Sequence, residues 1–149
     1  MIFIQKNKYI RDGRAPEPVK ESTSRVMSAN KAKNTKPELL LRKTLWSMGV
    51  RGYRLHPKVV PGRPDITFNQ RRIAIFVNGC FWHQCPYCKP SNPKTHISFW
   101  NQKFKKNVER DIQKMYLLHK SKWKVIVVWE CQLKNNPENL IKSILNTIG

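Results

Sequence analysis

The sequence predicts an α/β sandwich of three layers, a mixed central sheet flanked by helices, on three observations. Two short apolar runs, Ile73–Val77 and Lys124–Trp129, have the continuous hydrophobic character of buried strands. Between them a long stretch, Ser98 to about His119, carries Trp100, Phe104, Val108, Ile112 and Met115 on one helical stripe. The resulting order of helix, strands, long helix, strand and helix places helices on the faces of a sheet.

Each element has a local cause. Residues 1–21 are polar, basic and interrupted by Gly13, Pro16 and Pro18, and read as a flexible arm; residues 22–149 read as one domain. Ser22, Thr23 and Ser24 can cap a short helix toward Asn30. Thr35-Lys-Pro-Glu38 opens a firmer helix, with Thr35 as N-cap, Pro37 in the first turn and Glu38 completing a capping box. Leu41, Leu45 and Met48 continue it, and Gly49 ends it. Val50 to Lys58 is basic, with Tyr53 and Leu55 alternating as in a strand. Pro61-Gly62-Arg63-Pro64 forms a turn that delivers Asp65 to the mouth of a strand, Ile66–Phe68. Asn78 to Pro93 reads as loop, and Pro137 to Ile148 as a closing amphipathic helix.

Charge bounds the partner. Twenty-nine Lys and Arg stand against nine Asp and Glu, a net charge of +20, which would self-repel unless an anionic partner neutralised it. Nucleic acid of some kind is the commonest such partner. No window has the ~18 apolar residues of a membrane span. The opening apolar stretch is too short for a signal peptide, so a cytoplasmic protein is expected.

In a reducing compartment the four cysteines point to metal rather than to disulfides. Cys80, Cys85, Cys88 and, much later, Cys131 form one pattern, with Cys85-Pro86-Tyr87-Cys88 as a knuckle. Four thiolates close a tetrahedral structural zinc site, which would pin a Pro-rich loop that has little core of its own. A redox pair and four unrelated buried thiols are the competing explanations.

With so few acids, their positions are informative. Asp65, at a turn-to-strand junction, is placed to hold Mg²⁺ against a phosphate, or merely to cap its turn. Glu38 is already accounted for by its capping box. Asp111 lies beside the apolar stripe of the long helix and could pair with Lys106 or Lys114. His83 lies between two cysteines of the loop; it is either a zinc ligand or a general base acting near neutral pH. His56, His96 and His119 have no comparable setting and are expected at the surface. Phe81 and Trp82 either pack over the zinc site or wedge into a base stack.

Taken in order, the segments Thr35–Arg42, Pro61–Asp65, Ile75–His83, Lys106–Asp111 and Val127–Cys131 closely resemble the very-short-patch repair endonucleases, which nick DNA beside a T:G mismatch. The resemblance runs from about Ser22 to the last helix. It implies a restriction-endonuclease-like core and a Mg²⁺-dependent endonuclease acting on double-stranded DNA, expected as a monomer. It implies Asp65 as the Mg²⁺ ligand, helped by the backbone carbonyl of Val77, His83 as general base, and Asp111 and Glu38 as supporting acids. Met27, Phe81 and Trp82 would be the wedge, and Cys80, Cys88 and Cys131 match three zinc ligands of the family. Two positions depart from its pattern. Cys85 stands where a His is usual, which keeps a tetrahedral zinc shell. Asn78 stands where a His near the scissile phosphate is frequent; Asn can hydrogen-bond a phosphate but carries no proton or charge. The rivals are a same-fold homing or restriction-type nuclease and a non-catalytic zinc DNA-binding module.

Overall fold

The structure is a computed structural model that describes residues 33–149. The arm, the short helix expected after Ser24 and Met27 lie outside the described residues. The elements are α1 (Lys36–Ser47), β1 (Arg54–Leu55), β2 (Ile66–Phe68), β3 (Ile73–Asn78), α2 (Cys80–His83), α3 (Ile97–Lys120), β4 (Lys124–Trp129), α4 (Glu130–Asn135) and α5 (Pro137–Ile148).

Thr35 caps the helix as expected, but the return half of the capping box does not form: the Glu38 side chain accepts the Asn34 N–H and the Thr35 hydroxyl rather than the Thr35 N–H. Thr35 Oγ1 accepts the Glu38 N–H at 3.4 Å, and its hydroxyl donates to Glu38 Oε1 at 3.3 Å. The helix stops where Gly49 takes φ +82°, a backbone conformation that costs glycine little. Its buried face carries Leu41 and Leu45, both fully enclosed.

The sheet is mixed, in the order β1-β2-β3-β4, antiparallel at its first two pairings and parallel between β3 and β4. Central β3 is buried along its whole length, which is why its sequence is uninterrupted and apolar. Its pleat serves two cores. Ile73, Ile75 and Val77 pack with Leu41, Leu45, Leu133, Ile141 and Ile144 from α1, α4 and α5. Ala74 and Phe76 point the other way, toward Val60 and Leu118 of α3. Helices therefore cover both faces of the sheet.

Four further details differ from the sequence expectation. β1 is only two residues long, Arg54–Leu55. β4 is mostly half-buried, because it is the last strand of the described sheet and has one neighbour. The expected loop after Val77 begins as strand at Asn78 and contains the helical turn α2, and α4 follows β4 directly. The stripe on α3 is not continuously covered: Trp100, Phe104 and Leu118 are buried, whereas Val108 and Ile112 are 37% and 57% exposed. This 24-residue helix is anchored near its two ends, and its middle spans a cavity of about 360 Å³. Among the described residues, no helix is long and apolar enough to cross a membrane.

Candidate active site and metal centres

The C-terminal end of β3 organises two sets of candidate side chains. The first forms around Asp65, which the Pro61–Pro64 turn sets at the head of β2. Its backbone is locked into the sheet, the N–H donating to Ile75 O at 3.0 Å and the carbonyl accepting from His56 N at 3.1 Å. Its side chain accepts the Val77 N–H on Oδ2 at 2.7 Å. The Val77 amide, not its carbonyl, is thus the group that Asp65 touches here. The other carboxylate oxygen faces His56 Nδ1 at 3.7 Å, and His56 Nε2 lies 3.3 Å from Glu38 Oε2. Glu38 is 4% exposed, so this residue of the first helical turn also points its carboxylate into this pocket. One donor atom from each of Glu38, His56 and Asp65 lies within 4.8 Å of the others, a group able to hold a cation.

Burial raises the Asp65 carboxyl from 3.8 to about 6. The Val77 hydrogen bond and the charges of His56 and Lys114 oppose that rise, while Glu38 adds to it. Lys114 reaches this region from α3 because Gly62 lets the helix approach. A Cβ on Gly62, already at φ +76°, would meet Lys114 Cβ at 3.0 Å.

The second set lines the cavity beneath α3. His83, at the end of α2, places Nδ1 2.6 Å from Asp111 Oδ2. Asp111 therefore pairs with His83 and not with Lys106 or Lys114. A carboxylate accepting from Nδ1–H fixes the imidazole tautomer and leaves Nε2 free to take a proton. Asn78, Lys114, Val127 and Trp129 line the same cavity. Lys114 thus stands near both sets.

His56 corrects the sequence expectation. It is not a surface residue: its side chain is 16% exposed and held between two carboxylates. His96 and His119 are exposed, as expected. The missed signal is the hairpin register. Leu55 pairs with Ile66, so the next residue outward on each strand brings His56 opposite Asp65.

The four cysteines come together as their spacing requires, with their sulfur atoms within 4.8 Å of one another. Cys85 Sγ and Cys131 Sγ are 3.7 Å apart. Sulfurs bound tetrahedrally to one ion at ~2.3 Å are separated by roughly 3.8 Å, whereas a disulfide needs ~2.05 Å. Burial pushes the Cys80 thiol upward. At Cys85 burial acts the same way but is outweighed by the backbone amides of Cys88 and Tyr87 together with hydrogen bonds from the Cys131 and Cys88 thiols, which hold the thiol below its ordinary value. The cluster can therefore hold a metal, and a Cys₄ set suits zinc. It joins the exits of the parallel strands β3 and β4: Cys80 opens α2, Cys131 lies in α4, and the Cys131 N–H donates to Cys80 Sγ at 3.4 Å.

Phe81 and Trp82 belong to an aromatic cluster. Phe81 meets Trp82, Trp100 and Phe104 edge-on, with centroids 5.1 to 5.6 Å apart. These contacts bind α2 to the first turns of α3. Asn107 Nδ2 donates to the Trp82 carbonyl at 2.9 Å, which further fixes the turn that carries His83.

The profile of the DNA mismatch endonuclease Vsr matches residues 18–89. A Type II nicking enzyme, V.NmeAIP, from Neisseria meningitidis is 46% identical over 110 residues, 74% of this chain and 78% of that protein. The chain belongs to the DNA mismatch endonuclease Vsr family. As a member of the Vsr family it is a DNA endonuclease. Within that family, the Type II nicking enzyme V.XorIIP of Xanthomonas oryzae is 42% identical over 74% of this chain and 80% of its own. The Escherichia coli DNA mismatch endonuclease Vsr is 36% identical over 77% of this chain and 73% of its own.

Proposed function

We propose that this Vsr-family protein is a Mg²⁺-dependent endonuclease with a restriction-endonuclease-like core. It would nick one strand of double-stranded DNA beside a T:G mismatch, in very-short-patch repair. The reading is supported by two arrangements that share β3: a carboxylate pocket around Asp65, whose side chain accepts the Val77 N–H, and a carboxylate-oriented imidazole at His83, in a cavity that Asn78 helps to line. The relatives named as a mismatch endonuclease and as nicking enzymes supply the substrate class.

Asp65, with the Val77 carbonyl, would hold the Mg²⁺, and Glu38 would support it. The donors fit: a buried carboxylate held above its usual range gains when a cation compensates its charge. When bound, the ion supplies Lewis-acid stabilisation of the charge developing on the phosphate. The remaining work falls to the chain. His83 Nε2 accepts the proton of the attacking water, and Asp111 stabilises the imidazolium that results. Lys114 adds positive charge beside the phosphate, and Asn78, at the end of β3, donates a hydrogen bond to it. Phe81 and Trp82, with Met27, serve as the wedge that opens the base stack, backed by the aromatic cluster. Cys80, Cys85, Cys88 and Cys131 hold a structural zinc ion that fixes α2, and so His83, in place.

The decisive experiment compares T:G-mismatched and matched duplexes of one sequence under Mg²⁺. Nicking confined to the mismatched duplex is the expected result; equal cutting of a matched site would make the enzyme a sequence-specific nuclease, and no cutting of any duplex would overturn the reading. His83→Ala is expected to slow nicking by ~10²–10⁴-fold while leaving DNA affinity and metal content unchanged. Release of zinc by that variant would instead make His83 a ligand.

A further inference from the structure

We propose that His56 is a direct ligand of the ion at Asp65, which turns an all-oxygen site into a mixed nitrogen and oxygen one. The proposal rests on the reading of Asp65 as a metal ligand and assigns a further ligand to that site. Several observations converge on His56. Its backbone takes φ +45°, in the left-handed region that disfavours a residue with a side chain, and the hydrogen bond from its N–H to the Asp65 carbonyl holds it there. The imidazole so placed is sandwiched between Glu38 and Asp65. Yet it satisfies neither as a hydrogen-bond partner. The 3.7 Å separation from Asp65 is too long, and at 3.3 Å from Glu38 the contact is out of line, so the buried Nε2 has no hydrogen-bond partner.

An unpartnered buried ring nitrogen is costly unless something occupies it. The spacing identifies what would. Neighbouring ligands around an octahedral ion with bonds of ~2.1–2.3 Å lie roughly 3.0–3.3 Å apart, which matches Glu38 Oε2 to His56 Nε2. The Glu38 carboxylate is fixed from behind by the Thr35 hydroxyl and by the Asn34 N–H at 3.0 Å, so it is held in place before any ion arrives. Imidazole is a softer donor than the oxygens that Mg²⁺ prefers. A set of one imidazole and two carboxylates therefore favours Mn²⁺ and later first-row divalent ions over Mg²⁺, by more than an all-oxygen set would.

The test uses the full-length protein loaded with Mn²⁺, read by pulsed electron paramagnetic resonance. Directly bound imidazole is expected to give ¹⁴N modulation of the Mn²⁺ signal, lost in His56→Gln and retained in His83→Ala. By calorimetry, His56→Gln should lower Mn²⁺ affinity about tenfold or more and Mg²⁺ affinity by less. Absence of the ¹⁴N signal from the wild-type complex, or its persistence in His56→Gln, overturns the proposal even if that variant folds poorly, because the first outcome needs no variant. Asp65→Asn separates the two levels: if it binds Mn²⁺ as tightly as wild type, the parent reading of Asp65 fails too. If it loses Mn²⁺ while His56→Gln does not, only the role of His56 falls.

Discussion

Asp65→Asn is expected to bind duplex DNA but not to cut it, and in metal-free buffer at pH 8 to be more stable than the native chain. Both effects follow from one carboxylate. Cleavage should fall by at least ~10³-fold, because the ion would lose a charged ligand and with it several kcal/mol of transition-state stabilisation. The stability effect runs the other way. Burial raises the Asp65 carboxyl in the folded protein to about 6, from 3.8 when unfolded. Folding thus favours the protonated form, and the stability Asp65 contributes is full below pH 3.8 and is lost as pH rises through about 6. At pH 8 the ionised group opposes folding by up to ~3 kcal/mol. Asparagine keeps the shape and can still accept the Val77 N–H, but it removes the charge. In chemical denaturation without metal, the native chain should gain stability on acidification from pH 7 to pH 4, and the variant should lack that component. Equal stability of the two at pH 8 would refute the buried-charge account. Cleavage at the native rate would refute the site.

Cys131→Ala is expected to lose zinc and to lower the melting temperature by ~10 °C or more. Structural zinc contributes ~10–16 kcal/mol in small zinc domains, comparable to the whole stability of a typical fold. Beyond α2, which the aromatic cluster ties to α3, the stretch from Gln84 to Pro93 has little else to hold it: of its residues only Cys85 is buried. Cys131 also lies at the junction of β4 with α4, whose Leu133 is part of the core beneath β3, so losing the staple loosens the sheet edge as well as the loop. Activity should disappear with it, because α2 carries His83. Cys85→His is the informative contrast. An imidazole nitrogen completes the same tetrahedral shell, so this variant should retain one zinc per chain and most of its stability. Metal analysis and thermal melting decide the matter; a Cys131→Ala protein that melts like the native chain would mean the cysteines are merely packed thiols.

What the sequence determined by itself is local or periodic. Thr35 and Glu38 are three residues apart, so their hydrogen bonding is nearly a property of the segment. The runs at β3 and β4 announce burial because each side chain meets apolar surroundings wherever the strand goes, and the helical period of α3 survives any environment. The cysteine spacing pointed to one shared cluster able to hold a metal, and the four sulfurs do gather, because a knuckle and one later thiol need only adjacent strand ends to converge. The tertiary structure decided what depends on pairing across the chain. It chose His83 over two lysines as the partner of Asp111, because α2 leaves β3 directly beneath the middle of α3. It left Val108 and Ile112 over a cavity, although their period matches that of buried Trp100 and Phe104. It moved His56 from an expected surface position to a place between Glu38 and Asp65, since only the register of a two-residue strand sets these residues opposite one another. Periodicity reports which face of an element is apolar; what that face meets depends on contacts between residues far apart in sequence, and those exist only once the sheet has formed.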